Sequence, residues 1–211
     1  MLGYPAVERL RPGPITSIAS IQDRALNLGL LLPPTTSLNL PSMTLRTVHL
    51  IASRNAEAQR AHFAIFVPAD GAEQGTLIEA VGAPMAGYML EFKRNYSPSN
   101  DSIENYEIIP IGEIDSANIV DDDSGIKSAD ADPRGDIEIV ASQIPTPGIS
   151  ENFLAPVNDT TNRRDQEWTM EYIRHLVSKR LIGSQAIQIV HSKRDPPTHG
   201  LDFQPSLRRS G

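Results

Sequence analysis

The chain contains no cysteine. Disulfides, cysteine-ligated zinc and thiol catalysis are therefore excluded, and the redox compartment is left unmarked. It also lacks any apolar run near the ~20 residues that span a bilayer, so no membrane partner is expected. Positive charge is in deficit: 19 Lys and Arg stand against 26 Asp and Glu, a formal net charge of -7. A general nucleic-acid binder needs a basic face, so that class is excluded too. What remains is a chain fitted to small molecules, with a protein partner as the other option. Its 211 residues suffice for one domain with a real core. The 39% hydrophobic content is slightly low, and 17 prolines and 14 glycines break regular elements, so part of the chain is expected outside that core.

Residues 1–43 read as a flexible leader. Met1 to Pro14 has no apolar signal-peptide core. Arg9, Arg11 and Arg24 against Glu8 and Asp23, among serines and threonines, give a weak likeness to a transit peptide. A disordered leader, or an upstream extension of the gene, is preferred because Met43 directly precedes the first clear strand. Ile18 to Leu32 has the makings of a short helix, stopped by Pro33-Pro34. The expected location is the cytoplasm.

A single α+β domain is expected over 44–190. Strands are predicted at Leu45–Ala52, Ala61–Val67, Thr76–Val81, Tyr88–Tyr96 and Tyr106–Ile111, an antiparallel sheet of about five strands. In the fourth, Met89, Glu91 and Lys93 alternate with Leu90, Phe92 and Arg94. An acidic insertion follows at about 114–136, and Ile137–Ala141 reads as a short helix or strand. Pro145, Pro147 and Pro156 mark an extended crossing. A helix is predicted at about 164–180, because Trp168, Tyr172, Ile173, Leu176, Val177 and Leu181 recur at three- to four-residue steps, with Gly183 as its stop. Ala186–Val190 reads as a last strand, and 191–211 as a disordered tail.

The candidate catalytic residues are His62, Glu79 and Asp165. His62 and Glu79 fall on consecutive strands joined by a short loop, and such strands usually pair. Antiparallel pairing brings Glu79 within reach of the imidazole. The helix starting near Asp165 then docks on the same sheet. This gives a base, an orienting group and a helix-borne third group, the parts of a nucleophilic site.

The segments His62-Phe63-Ala64-Ile65-Phe66-Val67, Leu77-Ile78-Glu79-Ala80-Val81 and Asn162-Arg163-Arg164-Asp165-Gln166-Glu167-Trp168 resemble the circularly permuted papain-like superfamily. That group includes the NlpC-type hydrolases and the lecithin–retinol acyltransferase-like proteins. With Glu91-Phe92-Lys93-Arg94-Asn95-Tyr96, the chain also resembles small fungal proteins of unassigned function, some encoded near secondary-metabolite genes. The resemblance implies that His62 is the base and Glu79 the orienting residue. It places Asp165 where the family has its nucleophilic cysteine. A carboxylate there keeps the negative charge of a thiolate but is a much weaker acyl acceptor, so peptidase or acyltransferase chemistry through a thiol is not expected.

Each residue also has a plainer reading. Asp165 suits a helix's first turn, where carboxylates gain ~0.3–1 kcal/mol from unpaired amides and the macrodipole, and with Asn162 as N-cap it sits at the third helical position. An Asp165–His62 ion pair is then a structural strut. His62 alone is an ordinary strand histidine, and Glu79 a solvent-facing one. A one-histidine, two-carboxylate metal set lacks ligand spacing, and the Asp121–Asp136 run lacks that of an EF-hand, so no metal or other cofactor is expected. Lys93-Arg94 with Arg163-Arg164 offer an anion site or, more simply, surface charge. His49, His175, His191 and His199 have no evident partners. The functional expectation is a non-thiol protein acting on a small molecule by acid–base chemistry, with a catalytically inactive binding module as the alternative.

Overall fold

The computed structural model describes residues 44–100 and 105–200. The predicted helix at Ile18–Leu32, the rest of the leader and residues 201–211 lie outside the described residues.

Six strands form one antiparallel sheet: β1 (Leu45–Ser53), β2 (His62–Pro68), β3 (Gly75–Ala83), β4 (Gly87–Tyr96), β5 (Tyr106–Asp115) and β6 (Ser128–Asp130). Their order is β5-β1-β2-β3-β4-β6. Three helices follow: α1 (Gly135–Ser142), α2 (Asp165–Ser178) and α3 (Gln185–Lys193). The class is α+β, as expected, with one strand more than the expected five. The sixth comes from the acidic segment, which is no free insertion. Its first two residues extend β5, and Ser128–Asp130 pairs with β4.

Side chains alternate across a strand, so each strand sends one set to each face. One face is the main core. Val48, Leu50, Phe63, Ile65, Ile78, Ala80 and Phe92 pack there against Trp168, Tyr172, Ile173 and Leu176 of α2. The helical stripe read from the sequence is thus the buried one. Trp168 Nε1 donates to the Ile144 carbonyl at 3.3 Å, and the Tyr172 hydroxyl to the Ile137 carbonyl at 2.8 Å, so both polar tips are satisfied within the core. The other face carries a small second cluster of Ile51, Ala64, Phe66 and Leu77, with Tyr96 packed on it.

Three further expectations are corrected. Ala186–Val190 is helical rather than a strand, because the two buried residues, Ala186 and Val190, stand four apart on one helical face against the core. The chain from His191 to His199 is held rather than free: α3 runs to Lys193, and Asp195 is bound to Ala61, just before β2, and to Gln166 of α2. Helix α2 ends at Ser178, well before Gly183. Arg180 takes the left-handed turn at φ 61°, and Leu181 N donates to the Leu176 carbonyl at 2.9 Å, closing the end with a wrapped turn.

Candidate active site

His62 opens β2, and the register puts Ala64 opposite Glu79. Glu79 is therefore diagonal to His62 on the same face. His62 Nε2 lies 2.5 Å from Glu79 Oε2. On the other side of the ring, Nδ1 lies 3.2 Å from Asp165 Oδ2. The same oxygen accepts the Phe63 backbone N–H at 2.9 Å, which ties the start of α2 to the start of β2. All three predicted residues are brought together, with the imidazole between two carboxylates.

The local sequence explains the placement. Asp165 is the first helical residue, and Arg164, not Asn162, is the N-cap. The Glu167 carboxylate accepts the Arg164 backbone N–H at 3.1 Å, half of a capping box. Asn162 instead fastens the incoming loop. Its Nδ2 donates to the Ala155 and Pro156 carbonyls at 2.8 and 3.2 Å, and its Oδ1 accepts from the Ser150 hydroxyl at 2.8 Å.

A fourth residue, Lys93, belongs to the site. Its Nζ lies 2.7 Å from Glu79 Oε1, an ion pair by distance although that oxygen has no aligned hydrogen bond. Glu91 lies 3.7 Å from the same ammonium. The register sets Lys93 opposite Leu77, diagonal to Glu79 on the strand beyond. The signal was present in the sequence, since Lys93 alternates onto the face of Met89 and Glu91. Arg94 does not join it. That side chain points into the core face, fully buried, bound to Asp130 and Glu138.

The electrostatics follow from burial. The side chains of Glu79 and Asp165 are 3% and 11% exposed, while those of His62 and Lys93 are 38% and 37% exposed. The anions sit behind and the cations in front. Burial pushes the His62 pKa down, but the carboxylates of Asp165 and Glu79 push it up more strongly, to about 10. Burial raises the Glu79 pKa, yet the His62 and Lys93 cations outweigh that and hold it below the usual carboxylate value. At neutral pH the ring is an imidazolium, even with part of the pairing screened by water at its exposed edge. It is a loaded proton donor and a poor general base. Tyr88, on the helix side, has its pKa raised by burial first and by the Asp165 charge second.

The cleft beside this constellation has a volume of about 380 Å³, within the range of small-molecule sites. Ile51, Ala64 and Leu77 give it an apolar floor, and His62, Glu79 and Lys93 a polar wall; Tyr96 and Tyr106 also line it. Asp165 does not. Lys93→Met is expected to raise the His62 midpoint by up to about one pH unit, because it removes a cation that competes for Glu79. Ring-proton NMR over pH 6 to 11 measures this. A fall in the midpoint would mean that Lys93 chiefly holds Glu79 in place.

The profile of one family matches residues 48–183, more than half of the chain. The chain belongs to DUF6540, a family of unknown function. No curated protein and no solved structure matches it significantly. The matched segment of this DUF6540 chain holds His62, Glu79, Lys93 and Asp165, and stops short of α3.

The other sequence candidates resolve structurally. Asp121 clamps Arg46 through a bidentate pair at 2.8–3.0 Å, Asp130 binds Arg94, and Asp122 lies 3.4 Å from Arg134, so the acidic run is spread over three arginines. Among the described residues no His, Asp and Glu group converges as a metal site, and His62 spends both ring nitrogens on its carboxylate neighbours. Arg163 pairs with Glu171, and Arg164 donates to the Phe153 carbonyl at 2.9 Å. His49 packs against Phe66, His175 Nδ1 meets the Glu171 carbonyl, and His199 reaches the Glu57 and Gln59 carbonyls. No described helix is long and apolar enough to cross a membrane.

Proposed function

We propose that this chain is a non-thiol member of the circularly permuted papain-like superfamily that acts on a small molecule at the His62 cleft by acid–base chemistry. The observation that carries the reading is the order of groups, with a strand carboxylate, an imidazole and a helix-start carboxylate in sequence, Glu79–His62–Asp165. That order is the one the resemblance implies for orienter, base and nucleophile, with a carboxylate standing where the thiol would be. Glu79 fixes Nε2 through the shorter contact. Asp165 stabilises the imidazolium. His62, which lines the cleft, is then the proton donor. Proton delivery to a carbonyl or leaving oxygen suits isomerisation, cyclisation or hydrolysis through water. The likeness to fungal proteins encoded near secondary-metabolite genes makes such a metabolite the substrate class to try first.

A binding-only role is the second reading. It is favoured by the 7% exposure of Asp165, its absence from the cleft lining, and the engagement of both ring nitrogens. Metabolite profiles of cells producing the wild type, His62→Gln and Asp165→Asn discriminate the two. Catalysis expects at least one compound to change with the wild type and to revert with His62→Gln. If both variants are folded and every product is unchanged, catalysis is wrong, and native mass spectrometry of the purified chain should then show a retained ligand. The fold relation has its own check. Asp165→Cys restores a thiol beside a histidine at a helix start, and rapid alkylation near neutral pH is expected. A folded Asp165→Cys chain that resists alkylation would count against the relation.

A further inference from the structure

The residues immediately flanking the His62–Asp165 pair are tied together by a third segment. Ala61 precedes His62, and Gln166 follows Asp165. The Gln166 Nε2 donates to the Ala61 carbonyl at 2.7 Å and to Asp195 Oδ2 at 2.8 Å. That Asp195 oxygen also accepts the Ala61 N–H at 2.8 Å. The Asp195 N–H returns to Gln166 Oε1 at 3.0 Å, and Arg60 donates to the same oxygen at 2.9 Å. Arg54 holds the second Asp195 oxygen at 2.6 Å. Gln166 is fully buried, and the Asp195 side chain is only 7% exposed. Both polar groups of Ala61 are therefore taken by two side chains, neither from a neighbouring strand.

We infer that Asp195 and Gln166 form a positioning clasp that sets the spacing of His62 and Asp165, so that the segment after α3 is part of the site. This assigns a role to chain beyond residue 183, where the family match ends. The inference stands on the geometry of the pair and holds whether the cleft catalyses or only binds. The Phe63 N–H ties the start of β2 directly to Asp165. The clasp adds closure on the far side, at the peptides next to each residue. Buried polar groups that are fully satisfied fix one arrangement, and losing one partner leaves the others unsatisfied. Without the clasp, the 3.2 Å Nδ1–Asp165 contact is the one free to lengthen.

The His62 ring titration reads that contact directly. Three variants of the full chain separate the clasp from the charge of Asp195. Gln166→Met removes both arms without a change in charge and is expected to lower the His62 midpoint by about one pH unit. Asp195→Ala removes the acceptor and the charge and should lower it at least as far. Asp195→Asn removes the charge but keeps one oxygen for the Ala61 N–H, and its shift should be clearly smaller. Circular dichroism and thermal melting establish which variants are folded. Equal shifts in Asp195→Asn and Asp195→Ala would make the effect one of charge alone and overturn the clasp. So would a folded Gln166→Met chain with the wild-type midpoint. If Gln166→Met and Asp195→Ala do not fold, Asp195→Asn with a wild-type midpoint and a large loss of thermal stability would reduce the cluster to a structural tie.

Discussion

Arg94→Met should destabilise the fold by about 3–5 kcal/mol, the usual cost of stranding buried carboxylates. Arg94 is fully buried on the core face. It binds Asp130 through Nε and Nη2 at 3.1 and 2.9 Å, Glu138 through Nη1 at 2.6 Å and the Asp132 carbonyl through Nη2 at 2.9 Å. Its guanidinium holds the Asp130 carboxyl below the usual range. Methionine fills similar space but supplies no donor, leaving Glu138, at 2% exposure, with the Arg134 N–H at 2.7 Å as its remaining partner. Against a total of about 5–15 kcal/mol for an ordinary domain, that loss is large. Urea unfolding of both chains measures it. The double variant Arg94→Met, Glu138→Leu should recover part of the loss, because an apolar pair has no stranded charge. A single variant within about 1 kcal/mol of the wild type would show the network to be dispensable.

This network also marks where the sequence was legible and where it was misread. Alternation placed Arg94 with Leu90 and Phe92, the core-facing set, yet its charge suggested the surface. The counter-charges, Asp130 in the acidic segment and Glu138 in α1, lie about forty residues on, and no local pattern links them to Arg94. Once Arg94 is buried it needs those carboxylates, which draws Ser128–Asp130 onto the sheet edge as a sixth strand. The α2 stripe was legible because one periodic face meets one sheet. The last helix was not. Gln185-Ala186-Ile187-Gln188-Ile189-Val190 is rich in β-branched residues, which favour a strand, and tertiary burial of Ala186 and Val190 decides for helix.

The candidate site divides in the same way. His62, Glu79 and Asp165 were readable because each sits at a defined place on its element, and sheet register with helix docking does the rest. Lys93 was passed over because a lysine beside an arginine reads as solvated charge, whereas strand alternation sends the two to opposite faces. Asp195 was unreadable. Its role depends on a chain reversal after α3 that aligns one carboxylate with the Ala61 peptide and the Gln166 amide. The prolines after it suggested an unstructured tail.

The second large effect is a dependence on alkaline pH. A free histidine titrates near 6.5, and His62 in the fold titrates at about 10. The folded state thus keeps a proton that the unfolded state has released, and stability must fall with rising pH across that window. The contribution is complete below about pH 6.5, declines between there and pH 10, and is gone above it. With 38% of the side chain exposed, solvent screening reduces its size but leaves its sign. Ring NMR should place the His62 midpoint far above that of an ordinary histidine. Glu79→Gln, which removes the closer carboxylate and keeps its shape, should lower the midpoint by about 1–2 units and move the decline to lower pH. His62→Gln should flatten this part of the curve altogether. The ring signal assigns the slope to its group. A wild-type midpoint at or below 7 would remove the imidazolium from neutral pH. His62 would then be a base, and the proton-donor role proposed for it would fall.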